Sequence, residues 1–243
     1  MANSYFKFKQ FIINQDKCAM KVCTDACLFG ALVADQITKM PAGKAYDHCL
    51  DIGTGTGLLS LMVAQKNNAL KIDAVEIDAA AAEQARSNIA TSPWAGNIQV
   101  FNEDMLHFDP QKKYDCIISN PPFFEDDLQS ADKAKNRARH DTSLNLFQLL
   151  QLVEDHLGSD GFFAVLLPYH RVGYFMEETE KKGFYLSKQI LVKQTIKHNF
   201  FRGILFFKRI KTEALFLEIT INDNGNDYTP EFAAALKDYY LFL

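Results

Sequence analysis

The tetrapeptide NPPF at positions 120–123 combines three groups that can hold a flat molecule by its amino group. Asn120 offers a side-chain amide, Pro121 a carbonyl fixed between its own ring and that of Pro122, and Phe123 an aromatic face. The apolar run before it, residues 114–119, predicts a buried strand that ends at the prolines. Open α/β sheets bind ligands at the carboxyl ends of their parallel strands, so we expect a binding site here.

Such a site suits group transfer to an exocyclic amine. A nucleobase amine is a poor nucleophile because its lone pair is delocalised into the ring. Two acceptors against its two N–H bonds allow the nitrogen to pyramidalise and direct the lone pair at a methyl donor, without any metal. We expect the Asn120 amide oxygen and the rigid Pro121 carbonyl to be these acceptors, with Phe123 stacked on the base for roughly 1–3 kcal/mol. The alternative is a strand that stops at a proline, with Asn120 as a turn residue.

A second motif, DIGTGTG, occupies positions 51–57 after another apolar strand. Gly53, Gly55 and Gly57 let the backbone turn tightly and approach a ligand without Cβ clashes. Glu76 lies about 20 residues further on, at the end of the next predicted strand, where a carboxylate binds ribose hydroxyls. NAD and FAD proteins share both features. The two features therefore predict a cofactor that contains ribose, but they do not distinguish one such cofactor from another.

Two features favour S-adenosylmethionine (SAM), with S-adenosylhomocysteine as its product. Asp51 immediately precedes the glycines, in position to meet the ammonium of a methionine moiety, and no Lys or Arg follows them to pair with a pyrophosphate. Asp104, after the third predicted strand, is a candidate acceptor for an adenine amino group or, alternatively, an ordinary turn residue. We also expect Asp78, beside Glu76, to contact the cofactor.

Strands and helices alternate around these motifs. The predicted strands are residues 49–52, 71–77, 98–101, 114–119 and 161–167, and the predicted helices are residues 57–67, 79–91, 144–157 and 170–182. Such alternation predicts an α/β fold with a mostly parallel, doubly wound, Rossmann-like sheet. Three further strand-like runs, residues 184–192, 203–207 and 214–221, have no helix between them and predict an antiparallel edge.

The two ends of the chain are predicted to form appendages to that sheet. Residues 6–13 and 19–22 predict a hairpin, followed by a helix over residues 26–37 with Thr24 or Asp25 as its N-cap. At the other end, Thr229 and Pro230 predict the start of a helix over residues 232–240 that docks on the body. We therefore expect a single domain, 1–243, made of an N-terminal hairpin and helix (1–45), a sheet core (46–221) and a C-terminal helix (222–243).

Charge and composition narrow the class of protein. The net charge is −4, yet all nine charged residues between positions 181 and 211 are Lys or Arg, and a shorter basic string follows the NPPF motif. This pattern indicates either a polyanion bound at one end of an acidic protein or ordinary solvated faces. The apolar runs are far shorter than the roughly 20 residues of a membrane span, and the N-terminus lacks a secretory signal, so we expect a cytoplasmic protein.

Five cysteines are present, an odd number without a CxxC pair. A metal site is conceivable because three of them are close together. Their spacings do not match common zinc patterns, and no paired histidines accompany them. We therefore expect reduced, buried thiols and no metal.

The chain resembles SAM-dependent methyltransferases of the N6-adenine and N5-glutamine type, and two terminal segments narrow the resemblance. The N-terminal segments FKQF (8–11) and MKVCTDACLFG (20–30) are similar to those of the bacterial tRNA1(Val) (adenine-N6) methyltransferase family. The C-terminal segments DYTPEF (227–232) and YYL (239–241) are similar to that family's ending. The resemblance covers nearly the whole chain; the glycine motif is generic and the two ends are specific.

This resemblance implies roles for particular residues. Thr24 and Asp25 would lie over the methionine end of SAM, and Asp51, Gly53, Glu76 and Asp104 would contact it. The NPPF residues would hold adenine 37 of a tRNA, next to the anticodon. Cys23 stands where the family is expected to have glycine, and Phe123 replaces the commoner tyrosine, which keeps stacking but loses the hydroxyl.

An anticodon-loop base must leave its stack to reach such a pocket, so we expect base flipping. We also expect the enzyme to be a monomer. Cations must then hold the phosphates, and the candidates are Arg139, His140, Arg171, Lys193, Lys197 and Arg202. Four alternatives remain open: a protein-glutamine N5-methyltransferase, an rRNA guanine-N2-methyltransferase, a nicotinamide oxidoreductase, and a catalytically silent RNA-binding module with the same fold.

Overall fold

The core of the protein is a twisted sheet that a computed structural model describes over residues 3–18, 20–39, 45–121 and 144–243. Within these residues the sheet has eight strands in the order β10-β8-β9-β7-β6-β3-β4-β5. Its strands are β3 (His48–Ile52), β4 (Lys71–Glu76), β5 (Ile98–Asn102), β6 (Tyr114–Ser119), β7 (Leu157–Pro168), β8 (Tyr185–Thr195), β9 (Phe200–Lys208) and β10 (Leu215–Asn222).

Helices cover both faces of this sheet. They are α1 (Thr24–Thr38), α2 (Leu58–Lys66), α3 (Ala79–Ala90), α4 (Leu146–His156), α5 (Tyr169–Lys181) and α6 (Pro230–Leu236). Strand side chains alternate between two apolar clusters: Phe162 faces the one that holds α1, α2, α3 and α6, and Phe163 faces the one that holds α4 and α5. Burial on both faces explains why the central strands are almost continuously apolar.

The predicted α/β fold with a mostly parallel sheet is confirmed. β5, β4, β3, β6 and β7 pair in parallel, and β9 is antiparallel to both of its neighbours, β7 and β8. β10 crosses over to pair in parallel with β8, so β9 is the one reversed strand of the sheet. In the described part of the chain, no helix is both long and apolar enough to cross a membrane.

The N-terminal hairpin exists, but its predicted boundaries were wrong. β1 (Tyr5–Lys7) pairs with β2 (Ile12–Asn14), and the amide of Phe8 donates to the carbonyl of Phe11 at 2.9 Å to close the turn between them. The two phenyl rings stack at 4.5 Å and are buried, which stabilises a turn inside a run that looks like one continuous strand. Residues 20–22 are not a strand.

Both predicted helices at the ends of the chain form, with shifted limits. The N-cap of α1 is Cys23, which gives no side-chain capping bond, rather than Thr24 or Asp25. Thr229 caps α6 as predicted by accepting from the amide of Phe232, but α6 ends at Leu236 rather than near Tyr240. The aromatic tail still docks, because Tyr239 is buried and its hydroxyl donates to the carbonyl of Met62 at 2.9 Å.

Candidate active site

The glycine motif and the described part of the NPPF motif, Asn120 and Pro121, lie side by side at the carboxyl end of the sheet. Ile52, the last residue of β3, is the register partner of Ser119, the last residue of β6. The buried hydroxyl of Ser119 donates to the carbonyl of Ile52 at 2.9 Å. The glycine turn and Asn120 therefore leave neighbouring strands at the same level. Ser119 was not identified from the sequence, although a serine that ends an apolar strand beside a motif is a usable signal.

The glycine turn requires its glycines for their backbone conformation. Gly53, Gly55 and Gly57 have φ of 71°, 58° and 81°, in the left-handed region, which is costly for other residues. A Cβ built on Gly53 or Gly55 would meet nothing within 4 Å, so open space lies over the turn.

The amides of the turn are already engaged within the protein. Those of Gly53 and Thr54 donate to the carbonyl of Val75, that of Gly55 to Glu76 Oε2, and that of Gly57 to the Thr54 carbonyl. These four groups are therefore not available to bind a pyrophosphate, which disfavours a dinucleotide. The glycine turn has no side chains over Gly53 and Gly55, so a narrow, uncharged part of a ligand can lie directly against its backbone.

Asp51 is a buried carboxylate with one oxygen left over. Its Oδ2 accepts hydrogen bonds from the hydroxyls of Thr54 at 2.7 Å and Ser60 at 2.6 Å. Its Oδ1 is buried and has no partner among the described residues. Burial raises the pKa of Asp51 to about 6 against the opposing effect of the two hydroxyls. A buried polar atom without a partner is costly, and a cationic ligand group satisfies it. Ser60 was not identified from the sequence.

Glu76 borders the same turn from β4. Its Oε2 accepts from the amide of Gly55 and its Oε1 from the amide of Asp78, both at 2.9 Å. These bonds fix the carboxylate at the strand end. Asp78 itself is exposed and caps α3 by accepting from the amide of Ala81 at 2.8 Å. A cofactor contact by Asp78 remains a prediction beside that capping role.

Asp104 lies two residues after β5 and organises the turn that follows. Its Oδ1 accepts from the amide of Leu106 at 2.9 Å, and its Oδ2 lies 3.3 Å from Nδ1 of His107. This geometry agrees with the turn interpretation of Asp104. A contact with an adenine amino group remains a prediction.

Asn120 carries the second orphaned acceptor of the site. Its Oδ1 is buried without a partner in the described part of the chain, and the next residue, Pro121, is buried as well. An amide oxygen that is desolvated but unpaired is ready to accept from a ligand N–H group. The predicted contacts Pro122, Phe123, Arg139 and His140 lie outside the described residues.

Asp25 and Arg202 form an ion pair that sequence analysis did not anticipate. Asp25, in the first turn of α1, is 7% exposed, and its Oδ2 accepts from Nε of Arg202 on β9 at 2.7 Å. Thr24, half-buried, begins the helix beside it. Arg202, predicted to contact RNA, thus also holds a residue predicted to contact SAM. The two charges are 177 positions apart, so no local pattern reveals their pairing.

The basic run at positions 181–211 acquires acidic partners in the fold. At least five of its nine basic residues lie within 4 Å of a carboxylate from outside the run. The pairs are Lys181 with Glu178, Lys182 with Glu154, Lys193 with Glu218, Arg202 with Asp25, and Lys211 with Glu180.

The run is also divided between the two ends of the sheet. Lys193, Lys197 and Arg202 lie at the carboxyl end, around the β8–β9 turn, whereas Lys208 is at the amino end, paired in register with Tyr185. Arg171, half-buried in the first turn of α5, belongs to the carboxyl end too. The charge at the site is therefore a subset of the run.

The cysteines are free thiols. Cys27, Cys49 and Cys116 are buried, while Cys18 and Cys23 are only partly so. Burial raises the pKa of Cys23 and of Cys27 to about 12 and that of Cys18 to about 11, so these thiols stay protonated at neutral pH. Within the described ranges, no three His, Cys, Asp or Glu residues are grouped so as to hold a metal.

Comparisons with known proteins agree with this geometry. Residues 19–144 match the family model of the methyltransferase small domain. The chain is 40% identical to the tRNA1(Val) (adenine(37)-N6)-methyltransferase of Dyadobacter fermentans, over 98% of each chain, and 40% identical to the protein of the same name from Phocaeicola vulgatus, over 99% of each. The crystal structure of a predicted O-methyltransferase from Agrobacterium tumefaciens has the same fold, with a TM-score of 0.64 at 16% identity over 88% of this chain and 96% of that one.

Proposed function

This chain belongs to the tRNA1(Val) (adenine(37)-N6)-methyltransferase family, and we propose that it transfers a methyl group from SAM to N6 of adenine 37 in a valine tRNA. One observation supports this proposal most: two buried acceptors that lack partners among the described residues, Asp51 Oδ1 and Asn120 Oδ1, lie at the ends of adjacent strands. One suits the ammonium of a methionine moiety and the other an N–H of an exocyclic amine.

We propose that SAM is held by the carboxylates and the bare turn at the ends of β3 and β4. Asp51 Oδ1 accepts from the ammonium, and Glu76 accepts from the ribose hydroxyls while its bond to Gly55 keeps it in place. Gly53 and Gly55 leave open space for the ligand's approach. Thr24 and Asp25 border the methionine end, with Asp25 held by Arg202. When bound, SAM supplies a methyl group activated by its sulfonium.

The reaction at the base follows from the position of two acceptors. Asn120 Oδ1 and the Pro121 carbonyl each accept a hydrogen bond from one N–H of the adenine amine. The nitrogen therefore pyramidalises, and its lone pair is directed at the methyl donor. Because Asn120 is already desolvated and the proline backbone is rigid, little reorganisation is needed during reaction. Formation of the new N–C bond would break the methyl–sulfur bond of the cofactor, whose electron pair would stay on sulfur in S-adenosylhomocysteine. The nitrogen would then release one proton to solvent, which restores a neutral amine.

The proposed partner is a tRNA whose anticodon-loop adenine is flipped into the site. Cations at the carboxyl end of the sheet, such as Lys197, then hold phosphates of the flipped form. We propose a monomer that works in the cytoplasm, where its tRNA substrate is found.

Nucleoside analysis tests the function. Purified protein is incubated with labelled SAM and, in parallel, bulk RNA from a strain lacking the gene and a protein lysate from the same strain. N6-methyladenosine confined to the tRNA fraction is the expected result. N2-methylguanosine in rRNA or N5-methylglutamine in protein would instead support the two enzymatic rivals, and no transfer to either pool would favour a silent RNA-binding module.

A further inference from the structure

Two aromatic rings lie at the same end of the sheet as the proposed site, at the ends of the neighbouring strands β7 and β9, and the mechanism above leaves them unused. Tyr169 begins α5 directly after the last residue of β7, and Phe200 is the first residue of β9. Their ring centroids are 5.4 Å apart, with the planes tilted by 45°. They form a composite apolar surface, which we call the Tyr169–Phe200 surface.

Core packing does not account for this surface. Tyr169 is 43% exposed and Phe200 partly so, and neither belongs to the two buried clusters of the core. Phe175, one turn and a half further along α5, is by contrast fully buried. A partly exposed pair of large rings next to a binding site is typical of a contact surface, since the rings keep apolar area in water until a ligand covers it.

A cation lies over one of these rings. Lys193 Nζ lies 4.1 Å from the centroid of the Phe200 ring and 3.2 Å from Glu218. Lys197, in the β8–β9 turn, is exposed. Rings on which bases stack, with nearby cations for the phosphates, are the combination that single-stranded nucleic acid requires. Glu218 partly neutralises the charge of Lys193, so the rings rather than that lysine are the main contact for a nucleic acid.

The position of the surface fits a nucleotide next to the reacting one. Ser119 at the end of β6 is level with Val165 of β7, so Asn120 and Tyr169 are one strand apart and about three residues apart along the strands. Strand spacing and rise then separate them by on the order of 10 Å. A flipped base leaves its neighbours in the loop at such a distance, and enzymes that flip bases commonly contact those flanking nucleotides.

We propose that the Tyr169–Phe200 surface stacks an unpaired nucleobase that flanks the target adenine in the RNA substrate, and so helps to select the loop that is methylated. This inference rests on the proposed function. It adds a substrate-binding subsite made of two aromatic side chains that contact RNA but not the reacting atoms.

Steady-state kinetics with tRNA test the surface. Tyr169→Leu and Phe200→Leu should each raise KM for tRNA by about tenfold, because the loss of one stacked base weakens binding on that scale. The kcat at saturating tRNA and the Kd for SAM should change less than twofold. Tyr169→Phe should restore the wild-type KM because stacking needs only the ring. Phe216→Leu is the matched control: Phe216 is 63% exposed on β10, away from the strand ends of the site.

Binding of an anticodon stem-loop without SAM separates this proposal from the proposed function. In fluorescence anisotropy, Tyr169→Leu and Phe200→Leu should bind the stem-loop about tenfold more weakly than wild type and Phe216→Leu, with thermal melting confirming that all three variants fold. Equal affinity across wild type and all three variants overturns the surface, even if the wild type methylates tRNA. A wild type that binds the stem-loop through the two rings but transfers no methyl group would instead contradict the proposed function alone.

Discussion

Two buried aspartates on adjacent strands are satisfied in opposite ways. Asp73, in β4, is 7% exposed, and its Oδ2 is held by the hydroxyl of Tyr114 at 2.7 Å and by Lys112 Nζ at 2.8 Å. Asp51, in β3, is fully buried, accepts hydrogen bonds from Thr54 and Ser60, and keeps Oδ1 without a partner among the described residues. Asp73 therefore has a cation of its own in the fold, whereas Asp51 has none in the described part of the chain.

Two asparagines with a buried side-chain oxygen repeat the contrast. Asn88, in α3, uses its whole amide: its Nδ2 donates to the carbonyls of Asn14 and Thr56, and its Oδ1 accepts from the amide of Asn14, each at 2.9 Å. Asn120 has a buried Oδ1 with no such partner in the described residues. Asp51 Oδ1 and Asn120 Oδ1 differ from these satisfied groups and lie at the carboxyl end of the sheet, where a ligand can complete their hydrogen bonding.

Replacing the two asparagines should give the largest difference. Asn120→Ala removes a proposed acceptor for the amine, so kcat for tRNA methylation should fall about 100- to 1,000-fold, on the scale of a lost preorganised group, while the Kd for SAM stays within a few-fold. Asn88→Ala should mainly lower the free energy of unfolding, by about 1–3 kcal/mol. Radiolabel transfer, calorimetric SAM titration and urea unfolding measure the three quantities. Unchanged turnover in Asn120→Ala would remove this residue from the mechanism.

Replacing the two aspartates should separate affinity from stability. Asp73→Asn should destabilise the fold by about 1–3 kcal/mol, since Lys112 and Tyr114 lose a charged partner, and should leave SAM affinity nearly unchanged. Asp51→Asn should weaken SAM binding by about 30-fold or more. Its loss of stability should be smaller than that of Asp73→Asn, because removal of the charge also removes the free-energy cost of burying it in the apoprotein. Urea unfolding with calorimetry checks both variants. If Asp51→Asn were the more destabilised and bound SAM normally, the contrast between the two aspartates would be wrong.

Charge reversal at two exposed lysines should have a smaller effect. Lys197→Glu, at the carboxyl end of the sheet, should weaken tRNA binding several-fold and reduce the slope of log K against log salt by roughly 1. Lys211→Glu, at the amino end, should do neither, because it is far from the site and already lies 3.5 Å from Glu180. Filter binding at several salt concentrations measures both. Equal effects from the two variants would assign the basic run to ordinary solvated faces.

The parts of the molecule that local pattern determines were predictable. Apolar runs that stop at Gly or Pro located both motifs, and the strand–helix alternation predicted that their strand ends lie on one edge. Thr229 and Pro230 likewise located the start of the C-terminal helix, since capping depends on neighbouring residues.

The remaining features depend on residues distant in sequence. Two ion pairs join segments that only the fold brings together, namely Asp25 with Arg202 and Lys193 with Glu218. The sequence alone therefore overestimated how much of the basic run is available to bind RNA. The hairpin boundaries were missed because Phe8 and Phe11 pack against the body, which favours a turn over a longer strand.

The pH dependence of SAM affinity tests the central claim most directly, namely that Asp51, whose Oδ1 has no partner among the described residues, binds the ammonium of SAM. Its pKa of about 6 exceeds the ordinary value, so in the apoprotein its protonated form grows as pH falls through 6, and only the ionised form attracts the ammonium. Calorimetry should show the wild-type affinity for SAM about tenfold weaker at pH 5 than at pH 7, and Asp51→Asn should bind weakly and equally at both. A wild-type affinity that is flat over this range, or an equal pH dependence in Asp51→Asn, would contradict the account.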